Sequence, residues 1–251
     1  MEFIILGYIF ITGLVLGSFF NVVGLRVPQG ESILHPRSHC SSCGTTLQAV
    51  DLIPVASYMF LGGRCRTCQT GIPIFYPLME TVTAILFTAA WYFWGFSWDT
   101  GMALLILSLL VIITISDKSA MVIPDKILLT FAVPIAVLRM TAAPLDPWWD
   151  PFLGAALGFG LLLMIAIVSK GGMGGGDIKL FALLGFFFGW QQLLLAFFLS
   201  VFIGAVIGCV GLAAGTVKRG IPMPFGPFIA AGSLLTLFFG ETLFQWYIRF
   251  L

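Results

Sequence analysis

The chain has 251 residues, of which 59% are hydrophobic and only 9% are charged, and its formal net charge is +1. A soluble domain carries about a quarter charged residues, so this composition argues against a large soluble core. The near-neutral charge gives no support for nucleic-acid binding. The sequence therefore predicts an all-α polytopic membrane protein.

Apolar runs of roughly 20 residues cross a bilayer as helices, and the chain contains about eight such runs. The first run lacks the basic start of a signal peptide and is long enough to span a membrane. The sixth run is short, and the boundaries of the last three are soft. We predict transmembrane helices at residues 3–24, 75–95, 101–116, 127–143, 152–169, 178–189, 191–215 and 224–248.

The basic residues predict the orientation, because cytoplasmic loops are enriched in Lys and Arg. With the N-terminus outside, ten of the twelve basic residues lie in cytoplasmic loops, and only Arg139 and Arg249 lie on the outer side. All seven tryptophans then lie near outer helix ends, where interfacial anchors are expected. Two independent signals therefore predict the same topology.

Residues 25–74 form a polar segment, rich in Gly, Pro and Ser, that contains four of the five cysteines. We predict three domains: the first transmembrane helix at 1–24, a small cytoplasmic domain at 25–74, and a transmembrane domain at 75–251. The cytoplasmic segment is too short to bury much apolar surface, so a bound metal would supply folding free energy.

The cysteines occur as C-x2-C, then 21 residues, then C-x2-C, which is typical of a structural zinc site with four thiolates. Gly44 and Gly71 suit the tight turns of such knuckles. The segment is therefore expected to be zinc-ribbon-like. Disulfides or free thiols are the alternative, which a cytoplasmic location disfavours. The predicted ligands are Cys40, Cys43, Cys65 and Cys68.

Two aspartates stand at the ends of apolar runs, where a carboxylate indicates a functional site because it is costly in a bilayer. Asp117 ends the third predicted helix and opposes its dipole, whereas Asp177 begins the sixth. Five glycines within residues 171–176 precede Asp177, and such irregular backbone at membrane depth is buried or lines a wet cavity. In the predicted topology both carboxylates lie at the cytoplasmic edge of the membrane.

Two neighbouring carboxylates would share a proton, with one acting as base on water and the other as acid. Asp177, at a helix N-terminus, is expected to be the better-stabilised anion and Asp117 the holder of the proton. The simpler alternative for Asp177 is an ordinary helix cap.

Six motifs occur in order along the chain: Ser18–Val23 with Arg26 and Pro28, the paired C-x2-C, Tyr76–Glu80, Asp117 to Pro124-Asp125, Gly174–Lys179 and Pro224–Phe228. In these motifs the chain resembles the type IV prepilin peptidases, a family of bifunctional leader peptidase/N-methyltransferases among the GxGD-type membrane aspartic proteases. One departure is visible, because the family often has Asp-x-Asp-His where this chain has Asp117-Lys118-Ser119-Ala120.

This resemblance implies that Asp117 and Asp177 are the catalytic dyad of a bacterial inner-membrane peptidase. The implied substrates are prepilins or pseudopilins, cleaved after a Gly that separates a short basic leader from a hydrophobic helix. The resemblance also implies N-methylation of the new N-terminus, with S-adenosylmethionine as methyl donor. The implied partners are these substrates and membrane lipid, without nucleic acid.

Further residues are expected to support the site, although each has a simpler interpretation. Glu80 would otherwise be a carboxylate that reaches toward the cytoplasmic interface, Asn21 a helix–helix hydrogen bond and Arg26 a cytoplasmic anchor. Lys179 is expected to face headgroups or substrate, because two residues along a helix it points away from Asp177. The full set is Gly174, Gly176, Lys179, Glu80, Asn21, Arg26, Pro124 and Asp125.

Two other classes of function use some of the same features. A proton-coupled transporter also builds ion sites from broken helices and acidic residues, although the sequence has no internal inverted repeat. A membrane assembly scaffold would use the aspartates only as helix caps and the cysteine segment for docking. Proton flux in liposomes would distinguish a transporter from a peptidase. If Asp→Asn substitutions abolish no chemical activity, the scaffold would be favoured.

Overall fold

The structure is a computed structural model and describes residues 2–170, 172–216 and 223–249. All regular elements in this part of the chain are helical, as the sequence predicts, apart from isolated β-bridges in the cysteine segment. The α-helices are α1 Glu2–Arg26, α2 Ala56–Phe60, α3 Phe75–Trp94, α4 Trp98–Ala120, α5 Asp125–Thr141, α6 Asp150–Val168, α7 Gly175–Phe188, α8 Trp190–Ala213 and α9 Gly226–Ile248.

Every one of the eight apolar runs corresponds to one of these helices. Among the described residues, five helices are long and apolar enough to cross a membrane: α1, α4, α6, α8 and α9. α5 and α7 have only 17 and 14 residues, and α3 carries a buried glutamate. The all-helical membrane fold is therefore confirmed, and the number of complete crossings stays a prediction.

The chain divides into two compact units, Met1–Ile115 and Ser116–Leu251. The boundary falls inside α4, so that Asp117 belongs to the second unit. The domains predicted at 1–24, 25–74 and 75–251 remain predictions.

In the first unit, α1 and α3 pack with their backbones in close approach. A Cβ atom at Gly13 would lie 2.6 Å from Ala84 Cα, and one at Gly17 would lie 2.8 Å from Glu80 Cα. Small residues allow this approach in membrane helices, where van der Waals contact drives association. The Asn21 amide reinforces the pair by donating a hydrogen bond to the Tyr76 carbonyl (3.1 Å).

In the second unit, α6 and α7 also meet through glycines. A Cβ at Gly185 would overlap the Gly154 carbonyl, and a Cβ at Gly158 would overlap the Phe181 carbonyl. α7 also packs on α5 and α8. These contacts leave little space in which α7 could slide or tilt, because protein interiors are close-packed.

Candidate active site

Asp117 lies in the last turn of α4 and is only 6% exposed. Its Oδ2 accepts a hydrogen bond of 2.6 Å from the backbone N–H of Gly226, the first residue of α9. A Cβ at position 226 would lie 2.8 Å from this carboxylate oxygen. Asp117 therefore reaches the N-terminus of a second helix through a contact that only glycine permits.

Asp177 is the third residue of α7 and is half-buried. Its carboxylate turns back toward the residue before the helix, since a Cβ at Gly174 would lie 3.1 Å from Oδ2. The Gly174 backbone interacts with this carboxylate, as in half of a capping box. Asp117 exerts an electrostatic effect on Asp177, so the structure brings the two predicted aspartates into one site.

Both aspartates thus lie at helix N-termini, Asp177 at its own and Asp117 at that of α9. The sequence predicted that Asp177 is the better-stabilised anion and that Asp117 holds the proton. For Asp117 that prediction considered only the unfavourable C-terminus of α4. The contact with Gly226 removes that distinction, because the favourable end of α9 acts on the same carboxylate. The two carboxylates are therefore best treated as one coupled pair.

The turn between α4 and α5 closes one side of this site. The Ser116 hydroxyl donates a 2.6 Å hydrogen bond to the Val122 carbonyl and so holds the turn together. Ile123 then packs against the glycine loop, because a Cβ at Gly176 would lie 2.7 Å from Ile123 Cβ. Pro124 follows in extended conformation and caps α5. Gly174, Gly176 and Pro124 therefore shape the backbone around the aspartates, and their support of a catalytic site stays a prediction.

Lys179 and Asp125 form an ion pair of 2.6 Å between α7 and α5. Their side chains are 53% and 67% exposed, so the pair contributes little to stability. The sequence predicted that Lys179 would turn away from Asp177 but did not identify its partner. The pair places opposite charges beside the aspartate site without burying them.

The other three supporting residues belong to the first unit, where each has a packing role. Asn21 bonds Tyr76, and Arg26 donates hydrogen bonds to the carbonyls of Ser32 (3.1 Å) and Pro36 (2.7 Å). Arg26 thereby orders the loop that follows α1. Their predicted contribution to the aspartate site stays a prediction.

Glu80 is 8% exposed and anchors the cysteine segment to α3. Its Oε2 accepts a 2.8 Å hydrogen bond from the Val55 N–H, and the Ser18 hydroxyl interacts with the same carboxylate. Val55 has a φ of 59°, which is unusual for a β-branched residue. The buried carboxylate therefore stabilises a strained turn that begins α2.

The four predicted cysteines form one cluster, with all sulfurs within 4.8 Å of one another. Four ligands about 2.3 Å from a tetrahedral zinc ion lie about 3.8 Å apart, and the sulfurs of Cys40 and Cys68 are 3.7 Å apart. None of the five cysteines, all of which are described, is in a disulfide. The cluster fits a metal ion with four sulfur ligands.

The cluster is built from two copies of one local structure. In the first knuckle the Cys40 N–H donates to the Thr45 carbonyl (3.0 Å), and in the second the Cys65 N–H donates to the Thr70 carbonyl (2.9 Å). Gly44 takes the left-handed conformation in the first copy. In the second copy Gln69 takes it, with φ 57°, rather than the expected Gly71.

Polar groups around the knuckles fit thiolate ligands. The sulfurs of Cys43 and Cys68 lie 3.3 Å from the hydroxyls of Thr45 and Thr70. Hydrogen bonds from Thr70 lower the pKa of the Cys68 thiol to about 6. Asp51 accepts hydrogen bonds from the Gln48 N–H and from the guanidinium of Arg66 in the second knuckle, and these contacts lower the pKa of its carboxyl group. Metal ligands commonly have such surrounding hydrogen bonds.

Gly226 is a site residue that the sequence did not identify as such. It lies in the Pro224–Phe228 motif, which supported the resemblance without any of its residues being predicted as a site residue. No local pattern could show that its N–H meets a carboxylate 109 residues earlier in the chain.

The chain matches two models of known protein families. Residues 11–94 match the Bacterial Peptidase A24 N-terminal domain, and residues 104–209 match the Type IV leader peptidase family. The chain belongs to the type IV leader peptidase family. This confirms the family indicated by the six sequence motifs.

Curated relatives match nearly the whole chain. It is 44% identical to the prepilin leader peptidase/N-methyltransferase of Bacillus subtilis (strain 168), over 97% of this chain and 98% of the relative. It is 33% identical to the protein of the same name from Pseudomonas aeruginosa, over 95% of this chain and 91% of the relative. No solved structure matches the chain.

Proposed function

We propose that this protein is a membrane-embedded aspartic peptidase that cleaves the leader from type IV prepilins or pseudopilins. The observation that carries the proposal is that Asp117 and Asp177, which lie 60 positions apart in the printed sequence, are near enough for their charges to interact. The α4–α5 turn, the glycine loop and the start of α9 border this site. Family membership supports the assignment to prepilin substrates.

The proposed reaction uses the two carboxylates as one acid–base pair. One carboxylate takes a proton from water while the water oxygen attacks the carbonyl carbon of the scissile peptide bond. The other, protonated carboxyl group donates its proton to the leaving nitrogen as the C–N bond breaks. Two carboxylates that share one proton are suited to this exchange, because like charges do not readily ionise side by side.

The proposed substrate has a short basic leader, a Gly and then a hydrophobic helix. In the predicted topology the N-terminus is outside and the aspartates lie near the cytoplasmic face of the bacterial inner membrane. The substrate helix would occupy the membrane, so that the bond after the Gly lies at the depth of the dyad. Lys179 and Asp125 would then border the path of the leader.

We also propose N-methylation of the amine that cleavage releases, with S-adenosylmethionine as a second substrate. The names of the curated relatives support this activity. The four cysteines would hold a zinc ion, which we propose to be structural because four protein ligands leave no open coordination position.

The test is cleavage of a co-expressed prepilin, followed by its mobility and by the mass of its N-terminus. Wild type, Asp117→Asn and Asp177→Asn are compared at matched membrane abundance, with exposed Asp99→Asn as the matched control. We expect wild type and Asp99→Asn to cleave after the Gly, and each dyad variant to be slower by about 10²–10⁴-fold.

If either dyad variant cleaves at the wild-type rate, the substituted aspartate is a helix cap and not a catalytic residue. If wild type leaves several prepilins intact, the peptidase proposal fails, and proton flux in liposomes becomes the next measurement. The mass of the new terminus also reports methylation, since one methyl group adds a fixed increment.

A further inference from the structure

A single residue separates α7 from α8. Gly189 has a φ of 77° and joins the last residue of α7, Phe188, to the first residue of α8, Trp190. A 14-residue helix is about 21 Å long, so if α7 begins at one membrane face it ends within the hydrocarbon layer, about 30 Å thick. Backbone groups freed at such a break require partners inside the protein.

Arg139 provides donors at the end of α7. Its guanidinium donates hydrogen bonds to the carbonyls of Phe187 and Ala143, the latter at 2.9 Å, and lies 5.1 Å from the centroid of the Phe187 ring. The residue is only 8% exposed. Its positive charge suits a helix C-terminus. Arg139 departs from the predicted cytoplasmic bias of basic residues, and the structure shows it buried against a helix end instead.

Asp150 provides the acceptor at the start of α8. Its Oδ1 accepts a hydrogen bond of 3.2 Å from the Trp190 N–H. A Cβ at Gly189 would overlap the same carboxylate, so the glycine allows this approach. The negative charge suits a helix N-terminus. The two charged side chains therefore match the two helix ends that meet at the break.

We propose that Arg139 and Asp150 are positioning residues that fix the axial position of α7, and through it the position of Asp177 opposite Asp117. This inference rests on the proposed peptidase function. Asp177 and Phe187 are ten residues apart on one helix, about 15 Å along its axis. Because α7 is one continuous helix, a displacement at its C-terminal end is transmitted along the axis to the carboxylate near its N-terminus.

The test compares Arg139→Met, Arg139→Lys and Asp150→Asn with wild type in purified, lipid-reconstituted protein. Exposed Arg249→Met is the matched control for removal of a basic residue from the outer side. We expect Arg139→Met to lower kcat for prepilin cleavage at least about tenfold with KM within about twofold, since misplacement of a catalytic group affects the chemical step. Arg139→Lys should have an activity between those of Met and wild type, because the ammonium keeps the positive charge but lacks the planar fork that bonds both carbonyls.

Hydrogen exchange of the α7 amides provides a readout that does not depend on cleavage. We expect exchange in residues 183–188 to be at least about tenfold faster in Arg139→Met, because the end of α7 loses its donor. In Asp150→Asn we expect faster exchange of the Trp190 amide, because its acceptor loses its charge. The proposal is overturned if folded Arg139→Met and Asp150→Asn keep the wild-type kcat, even when their abundance or Tm falls. If wild type cleaves no prepilin, the peptidase proposal fails, and unchanged α7 exchange in Arg139→Met would then overturn the positioning role independently.

Discussion

A single methyl group at Gly226 should disable the proposed active site. In Gly226→Ala the new Cβ would lie 2.8 Å from both Cβ and Oδ2 of Asp117, whereas ordinary contacts begin at 3.4 Å. Asp117 and the start of α9 must therefore separate by more than half an ångström. The 2.6 Å hydrogen bond between them would then lengthen to about 3.2 Å, the upper end of the usual range for N–H donors.

The hydrogen bond that is weakened sets an upper bound on the size of the effect. A hydrogen bond to a charged group contributes about 1.5–3 kcal/mol, which corresponds to roughly 10- to 150-fold in rate if it is fully expressed in the transition state. Displacement of a catalytic group by about 1 Å has an effect of similar size. We therefore expect kcat to fall by about 10- to 100-fold.

The assay is steady-state cleavage of a purified prepilin by reconstituted enzyme, with Tm measured on the same samples. Overpacking costs about 1–3 kcal/mol of stability, so rates are compared only for folded protein. Gly160→Ala on α6 is the matched control, since a Cβ there meets nothing within 4 Å. If Gly226→Ala cleaves within twofold of wild type, the contact between Asp117 and α9 is not part of the working geometry.

Other substitutions test the packing and the metal cluster. Cys65→Ser should abolish the metal equivalent measured by elemental analysis, because it removes one of four ligands, whereas exposed Cys209→Ser should retain it. Glu80→Ala should lower the free energy of unfolding by about 1–3 kcal/mol, because the Val55 N–H loses its acceptor, and limited proteolysis at residues 53–61 should become faster. Gly185→Ala should destabilise the protein by more than about 3 kcal/mol, as read from Tm, since its Cβ overlaps the α6 backbone; an unchanged Tm would contradict the packing.

Local patterns predicted the helices well, because length, hydropathy and helix-breaking residues act within short stretches of chain. The runs at 101–116 and 191–215 correspond to α4 and α8 within a few residues. The same patterns identified Asp117 and Asp177, since a carboxylate at the end of an apolar run is unusual wherever the chain then folds.

The interactions between distant residues could not be read from such patterns. Asp117 meets Gly226, Lys179 meets Asp125, and Arg139 meets Phe187 across long sequence separations. Charge rules assigned Arg139 to the outer side as if it faced water or lipid headgroups. In the structure the guanidinium instead binds the C-terminal end of α7. A count of the charges in loops cannot reveal such a contact.

The duplicated knuckle has a consequence for the order in which the cysteine segment folds. Each copy is closed by hydrogen bonds between residues at most nine positions apart, so each can form before the other is near. An ion then has only to close the loop between them, whose entropy cost is on the order of 3 kcal/mol for about 21 residues. When the ion is withdrawn, we expect the loop to open while both knuckles persist as local turns. Loss of the proposed zinc ion would therefore open this segment reversibly and leave the membrane helices folded.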